Sequence, residues 1–283
     1  MELFKIETGK FKLDGGAIFG VVPKVLWSKV YPADKNNLCN FAMRCLLIHD
    51  KERLILIDCG IGKKQSEKFF SYYYLNGDDS LEKSLSQNNY TLSDITDVVL
   101  THLHFDHCGG AVVKDDKGNL VPAFPEANYW VSGPQWKWAM EPNQRERASF
   151  LIENIEPLEA GGNLHFVNTE TDLTRSVSLR FFNGHTEGLM VPVIKYGKYT
   201  LVYVSDLLPT AAHIPPSWVC GFDIRPLVSL EERRTFMSEA AEKGYILFFE
   251  HDIYHECCTI KKTEKGFAGD RFFTFREFLK EDY

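Results

Sequence analysis

The chain has 283 residues, 44% hydrophobic and 13% aromatic, enough to bury a large core and too apolar to stay disordered. Its 32 basic and 39 acidic side chains give a formal charge of −7 without a long basic run to track a phosphate backbone, which excludes nucleic acid as a substrate class. No stretch approaches the roughly 20 apolar residues of a membrane span, and the start Met1-Glu2-Leu3-Phe4-Lys5 lacks an apolar signal core, so a cytoplasmic protein with no membrane partner is expected.

In chain order, residues 41–48 and 53–57 read as adjacent strands, followed by a helix over 63–73 and a short one near 81–85. Val98-Val99-Leu100 is a strand end. Residues 164–167, 178–182, 191–196 and 199–204 repeat the strand pattern in the second half. A helix is expected over 231–243, with Ser229 and Glu232 spaced as a capping box and Gly244 as its stop. No repeat or linker divides the chain, so 1–283 reads as one α/β domain.

The strand at Leu100 leads into Thr101-His102-Leu103-His104-Phe105-Asp106-His107-Cys108-Gly109-Gly110. Three imidazoles and a carboxylate within six residues are hard to explain as packing and read as metal ligands. His102 and His104 alternate so that both can face one ion, and the next turn offers Asp106 and His107 to a neighbouring one.

A catalytic site usually holds each divalent ion with three or more protein groups and leaves a position open for water. His185, in Asn183-Gly184-His185-Thr186-Glu187-Gly188, follows an apolar run. Asp206 follows Leu201-Val202-Tyr203-Val204-Ser205, and His251 follows Ile246-Leu247-Phe248-Phe249-Glu250. Each candidate stands just past a segment of strand length and composition. Polar groups gathered at one end of several strands make a shared site.

This motif set resembles the metallo-β-lactamase superfamily of hydrolases over nearly the whole chain. The resemblance implies an αββα sandwich of two packed mixed sheets with outer helices. It also implies one metal site of His102, His104 and His185, a second of Asp106, His107 and His251, and a bridge at Asp206. Asp58, at the end of Leu54-Ile55-Leu56-Ile57, matches a family aspartate that supports the ligands. The implied cofactor is two divalent ions, zinc first, with manganese, iron or cobalt suited to similar shells. Two such ions hold a bridging hydroxide that attacks a small ester, lactone or phosphoester, with Asp106 as general acid and base.

Gly15-Gly16 through Trp27 resembles the N-terminal loop of a branch that includes lactonases and organophosphate hydrolases. With Leu207 to Trp218 it offers Phe19, Trp27, His213 and Trp218 as substrate-binding candidates. The apolar, aromatic character of these segments favours a hydrophobic small-molecule substrate. Acyl-homoserine lactonases often carry a tyrosine soon after the bridging aspartate; here Leu207, Leu208 and Pro209 follow Asp206. A glyoxalase-type thioesterase would share all seven metal positions, although Lys261, Lys262, Lys265 and Arg271 only mildly echo its basic C-terminal region. A non-catalytic metal-binding or ligand-binding protein on the same scaffold is the alternative from another class. The aromatic loops leave a homodimer open. The seven cysteines, an odd number without zinc-knuckle spacing, read as reduced and buried.

Overall fold

In a computed structural model that describes residues 1–281, the chain forms two compact units, Met1–Lys10 with Met43–Glu170, and Phe11–Ala42 with Thr171 onward. A six-stranded sheet carries the first unit. Its members are β1 (Glu2–Asp14), β2 (Leu38–Asp50), β3 (Arg53–Ile57), β4 (Asp97–Val99), β7 (Asn128–Ser132) and β8 (Leu164–Val167), adjacent in that order, while β5 (Val112–Lys114) and β6 (Leu120–Pro122) form a separate hairpin. β2 and β3 pair antiparallel with Leu46 opposite Ile57, and β3, β4, β7 and β8 run parallel. Leu47, Leu54, Leu56, Val98, Tyr129 and Val131 form part of one core. These leucine, valine and tyrosine side chains suit buried strands.

The second unit holds a seven-stranded sheet of β9 (Thr171–Asp172), β10 (Val177–Phe182), β11 (Leu189–Tyr196), β12 (Tyr199–Tyr203), β13 (Ile246–Phe248), β14 (Cys257–Thr263) and β15 (Gly266–Phe273) in sequential order. All neighbours are antiparallel except β12 and β13, which the helix Pro226–Lys243 joins as a parallel crossover. That helix contributes Phe236, Met237 and Ala240 to a core shared with Val202, Val204, Leu247 and Phe249. Both units combine mixed sheets with helices, the α/β class read from the sequence.

Two helices differ from expectation. The long one starts at Pro226, whose fixed φ suits the first helical turn, and Ser229 lies buried inside it. Glu232 is no capping-box partner, because its carboxylate accepts the backbone N–H groups of Asn183 and Gly184 at 2.8 and 2.9 Å. Gly244 does end the helix, in the left-handed region. In the segment 63–73 only Glu67–Ser71 is helical: Ser66 caps it, and the Lys64 amine upstream is spent on the Gly109 carbonyl. Among the described residues no helix is long and apolar enough to cross a membrane.

Candidate metal centre

Strand direction places the polar groups. β3 and β4 are adjacent and parallel with Ile57 level with Val99, so Asp58 and the segment from Leu100 leave the sheet at the same edge. In the second unit β10, β12 and β13 share one direction, because β10 is antiparallel to β11 and β11 to β12, while β12 and β13 are parallel. His102 is the third residue past β4, His185 the third past β10, Asp206 the third past β12 and His251 the third past β13. Ligand-binding groups in sheets of this kind collect at the carboxyl ends of strands.

In the first unit, His102 Nε2 lies 3.0 Å from His104 Nδ1, and the His102 and His107 rings stand 3.9 Å apart. His107 Nε2 is 3.8 Å from Asp106 Oδ2. The rear of each ring is held separately. Asp58 accepts the Thr101 backbone N–H at 2.8 Å and its hydroxyl at 2.7 Å, and stands 3.1 Å from His107 Nδ1. Because the Thr101 hydroxyl proton goes to Asp58, its oxygen is left to accept from His102 Nδ1, 3.1 Å away. Asp58 adopts φ +58°, a left-handed conformation uncommon for a residue with a side chain. Gly109 and Gly110 let the loop press on the segment after β3: an added Cβ would lie 2.1 Å from the Ile61 and Cys59 carbonyl oxygens respectively.

In the second unit, Asp206 stands between two histidines. Oδ2 is 3.0 Å from His185 Nε2 and Oδ1 is 3.2 Å from His251 Nε2. The other ring nitrogens again have partners: His185 Nδ1 is 2.9 Å from Asp223 Oδ1, and His251 Nδ1 is 2.8 Å from the Ala42 carbonyl. Ser205, just before Asp206, has φ +43°. Burial disfavours a charged His185, yet Asp206 and Asp223 outweigh it and push the imidazole up to about 10. The carboxylates on the two sides of the ring thus favour a positive charge there, either the second proton or a metal ion in its place on Nε2.

A common logic fixes the tautomers. An acceptor behind a ring takes its N–H and leaves the opposite nitrogen with a lone pair facing its neighbours. That nitrogen is Nε2 in His102, His107, His185 and His251. Donor atoms of His102 with His104, of Asp106 with His107, and of His185 with Asp206 lie within 4.8 Å of each other, and all seven residues are buried. Neutral imidazoles and carboxylates, buried and braced from behind, fit divalent metal ions of the zinc type. Asp223 and the Ala42 carbonyl escaped the sequence reading. Asp223 belongs to no motif or strand end, and it meets His185 because Ile224 and Arg225 bond back to the carbonyls of His185 and Gly184.

Three of the four substrate-binding candidates are stacked on one another in the structure. Phe19 stacks between Trp27 and His213, at centroid distances of 5.0 and 4.9 Å, and all three are at most 1% exposed. Residues Gly15–Phe19 and Lys24–Trp27 form short helices, which carry Phe19 and Trp27 inward. His213 Nδ1 accepts from the Thr210 hydroxyl at 2.8 Å and Nε2 lies 3.4 Å from the Ile18 carbonyl; burial brings the ring down to about 4, so it stays neutral. Trp218 is half-buried and meets Phe19 edge-on at 6.3 Å. Cys108 is buried with its thiol 3.4 Å from the Leu103 carbonyl, and burial pushes it up to about 12. All seven cysteines are buried and free.

The family model of the metallo-beta-lactamase superfamily matches residues 44–243. The chain belongs to the metallo-beta-lactamase superfamily. It is a hydrolase of that superfamily, and its fold is the superfamily's. An N-acyl homoserine lactonase of Bacillus cereus is 24% identical over 241 residues, 78% of this chain and 85% of the relative. The N-acyl homoserine lactonase AiiB of Agrobacterium fabrum is 23% identical over 284 residues, 93% of this chain and 98% of the relative. Among solved structures, a protein of Staphylococcus aureus described as a probable metal-dependent hydrolase superposes with a TM-score of 0.87 at 29% identity, covering 96% of both chains. AidC, a dizinc quorum-quenching lactonase solved with its product, superposes at 0.78 with 22% identity, covering 96% of this chain and 95% of its own.

Proposed function

We propose that this metallo-beta-lactamase superfamily member is a binuclear metal-dependent hydrolase acting on a small hydrophobic ester, with an N-acyl lactone as the favoured class. In this reading the two units work as one catalytic domain. His102, His104 and His185 would hold one ion, Asp106, His107 and His251 a second, and Asp206 would be shared between them. Zinc is the favoured metal, which suits imidazole with carboxylate. The observation that carries the reading is Asp206, one of whose oxygens faces His185 and the other His251, as a bridging carboxylate requires. The lactonase names of the relatives support the bond type.

Two divalent ions, when bound, lower the pKa of a held water from about 15.7 toward about 7 and polarise a scissile carbonyl. The chain's own residues do the rest. Asp106 accepts a proton from the attacking water and returns it to the leaving oxygen as the carbonyl–oxygen bond of the ester or ring breaks. Asp58, Thr101, Asp223 and the Ala42 carbonyl hold the imidazoles in one tautomer, so that no ring has to turn as the reaction proceeds. Asp206 aligns His185 and His251. A cytoplasmic enzyme that acts on a small molecule, with a homodimer left open, is the corresponding cellular reading.

The experiment is a hydrolysis panel of N-acyl lactones, aryl esters, thioesters and phosphotriesters, each run with and without a chelator. Chelator-sensitive ring opening of hydrophobic lactones is the expected result. A preference for thioesters would move the reading to a glyoxalase-type enzyme, and absence of any turnover in metal-loaded protein would move it to a binding role.

A further inference from the structure

His104 differs from the other four histidines of the candidate metal centre. Its Nδ1, not its Nε2, is the nitrogen that faces His102, at 3.0 Å. Its Nε2 points the other way, 3.4 Å from Oε1 of Glu146, within ion-pair reach but outside hydrogen-bond geometry. Glu146 is 3% exposed and lies on a turn where the Glu146 backbone N–H donates to the Asn143 side chain at 3.1 Å. Its second oxygen, Oε2, accepts the Trp138 indole N–H at 2.6 Å and the Asn143 amide at 2.7 Å. A buried carboxylate with two donors on one oxygen is fixed in place with its other oxygen toward His104.

We propose that Glu146 is a positioning residue for the metal centre, acting through His104 by keeping the His104 proton on Nε2 and the lone pair on Nδ1. Trp138 and Asn143 serve to aim it. No proximity in sequence suggests the pair, since 42 residues separate His104 from Glu146. The segment between them contains β5, β6 and β7, and the chain returns through the helix Gly133–Met140 to present Trp138 and Glu146. The inference rests on His104 being a metal ligand, as set out under Proposed function.

Glu146→Gln supplies a direct test, because an amide has one acceptor oxygen where a carboxylate has two. If the amide oxygen keeps the Trp138 and Asn143 donors, the NH₂ group faces His104 Nε2 and donates to it. The imidazole proton then moves to Nδ1, the nitrogen the metal needs. Loss of such a supporting partner typically weakens metal binding by about 10- to 100-fold. Trp138→Phe removes one donor to Oε2 and leaves the carboxylate itself, so it should weaken binding less than Glu146→Gln.

The readouts are zinc affinity by competition with a chromophoric chelator, the visible absorption of the cobalt-loaded protein, and the His104 tautomer in metal-free protein by nitrogen-detected NMR. For Glu146→Gln the expected result is zinc binding weakened about 10- to 100-fold, an altered cobalt spectrum and a proton shifted to Nδ1, with far-ultraviolet circular dichroism unchanged. Unchanged zinc affinity, cobalt spectrum and tautomer in a folded Glu146→Gln protein would overturn the proposal, as would equal losses in Glu146→Gln and Trp138→Phe. His104→Ala is the control that separates the two claims. If it binds zinc like the unaltered protein, the ligand reading of His104 fails; if it loses zinc while Glu146→Gln keeps it, only the role of Glu146 fails.

Discussion

Asp58 joins the ends of two neighbouring strands: it follows β3 directly, yet its carboxylate stands 3.1 Å from Nδ1 of His107, beyond β4. The same carboxylate takes both polar hydrogens of Thr101. One buried charge therefore fixes His107 and, through the Thr101 hydroxyl, His102.

Replacing Asp58 with asparagine should disturb both rings at once. The amide keeps the shape but has only one acceptor oxygen for three donors. Zinc affinity measured by chelator competition should fall by about 10- to 100-fold, more than for Thr101→Val, which removes the His102 partner and one donor to Asp58 but leaves the carboxylate behind His107. Equal effects of the two substitutions would show that Asp58 does not act on His107.

Trp27→Ala should act on stability. Trp27 is 1% exposed and stacks on Phe19, which stacks in turn on His213. Removing a buried tryptophan costs about 3–5 kcal/mol, and urea unfolding should report a loss of that size. A stability loss below about 1 kcal/mol with a changed substrate preference would return Trp27 to the pocket role expected from its sequence context.

That tryptophan marks where the sequence stopped being legible. The candidate ligand positions were readable because strand ends leave a local trace: apolar alternation stops, and a histidine or aspartate follows three residues later, as at His102, His185, Asp206 and His251. Asp58 was readable for the same reason. Asp223 and Glu146 were not, because each reaches its histidine through chain folding that no spacing encodes. The roles of Phe19, Trp27 and His213 stayed open because an aromatic in an irregular glycine-containing segment has the same composition whether it faces a ligand or another ring. The helix start was missed at Pro226 because Ser229 and Glu232 imitate a capping box, while Glu232 in fact binds the Asn183–Gly184 backbone beside His185.

Gly110→Ala should damage the metal loop from behind. The new Cβ would sit 2.1 Å from the Cys59 carbonyl oxygen, a backbone atom that no rotamer change can move. Overpacking of this kind costs about 1–3 kcal/mol and displaces backbone, so both thermal stability and zinc affinity should fall. Unaltered zinc affinity would mean that the loop geometry tolerates separation from Cys59.

Acid should weaken one ion-pair cluster in a readable way. Burial opposes the charge on Glu239, but hydrogen bonds from Lys243, Arg180 and Tyr245 outweigh it and bring the carboxyl from 4.5 to about 2. A depressed carboxylate adds stability that is complete above its unfolded value and is lost as pH falls from about 4.5 to about 2. Because the cluster is partly solvated, Glu239→Gln should lower the melting temperature near neutral pH by at most about 3 °C, a deficit that closes on acidification. A deficit that does not change with pH would remove the ionic contribution.

The most direct measurement is elemental analysis of purified protein, unaltered and as Asp206→Ala, alongside lactone hydrolysis before and after chelation. Close to two zinc-type ions per chain, activity abolished by chelator and restored by metal, and loss of both metal and rate in Asp206→Ala are the expected results. Full metal occupancy and normal rate in Asp206→Ala, or fewer than one ion per chain with undiminished hydrolysis, would contradict the binuclear centre.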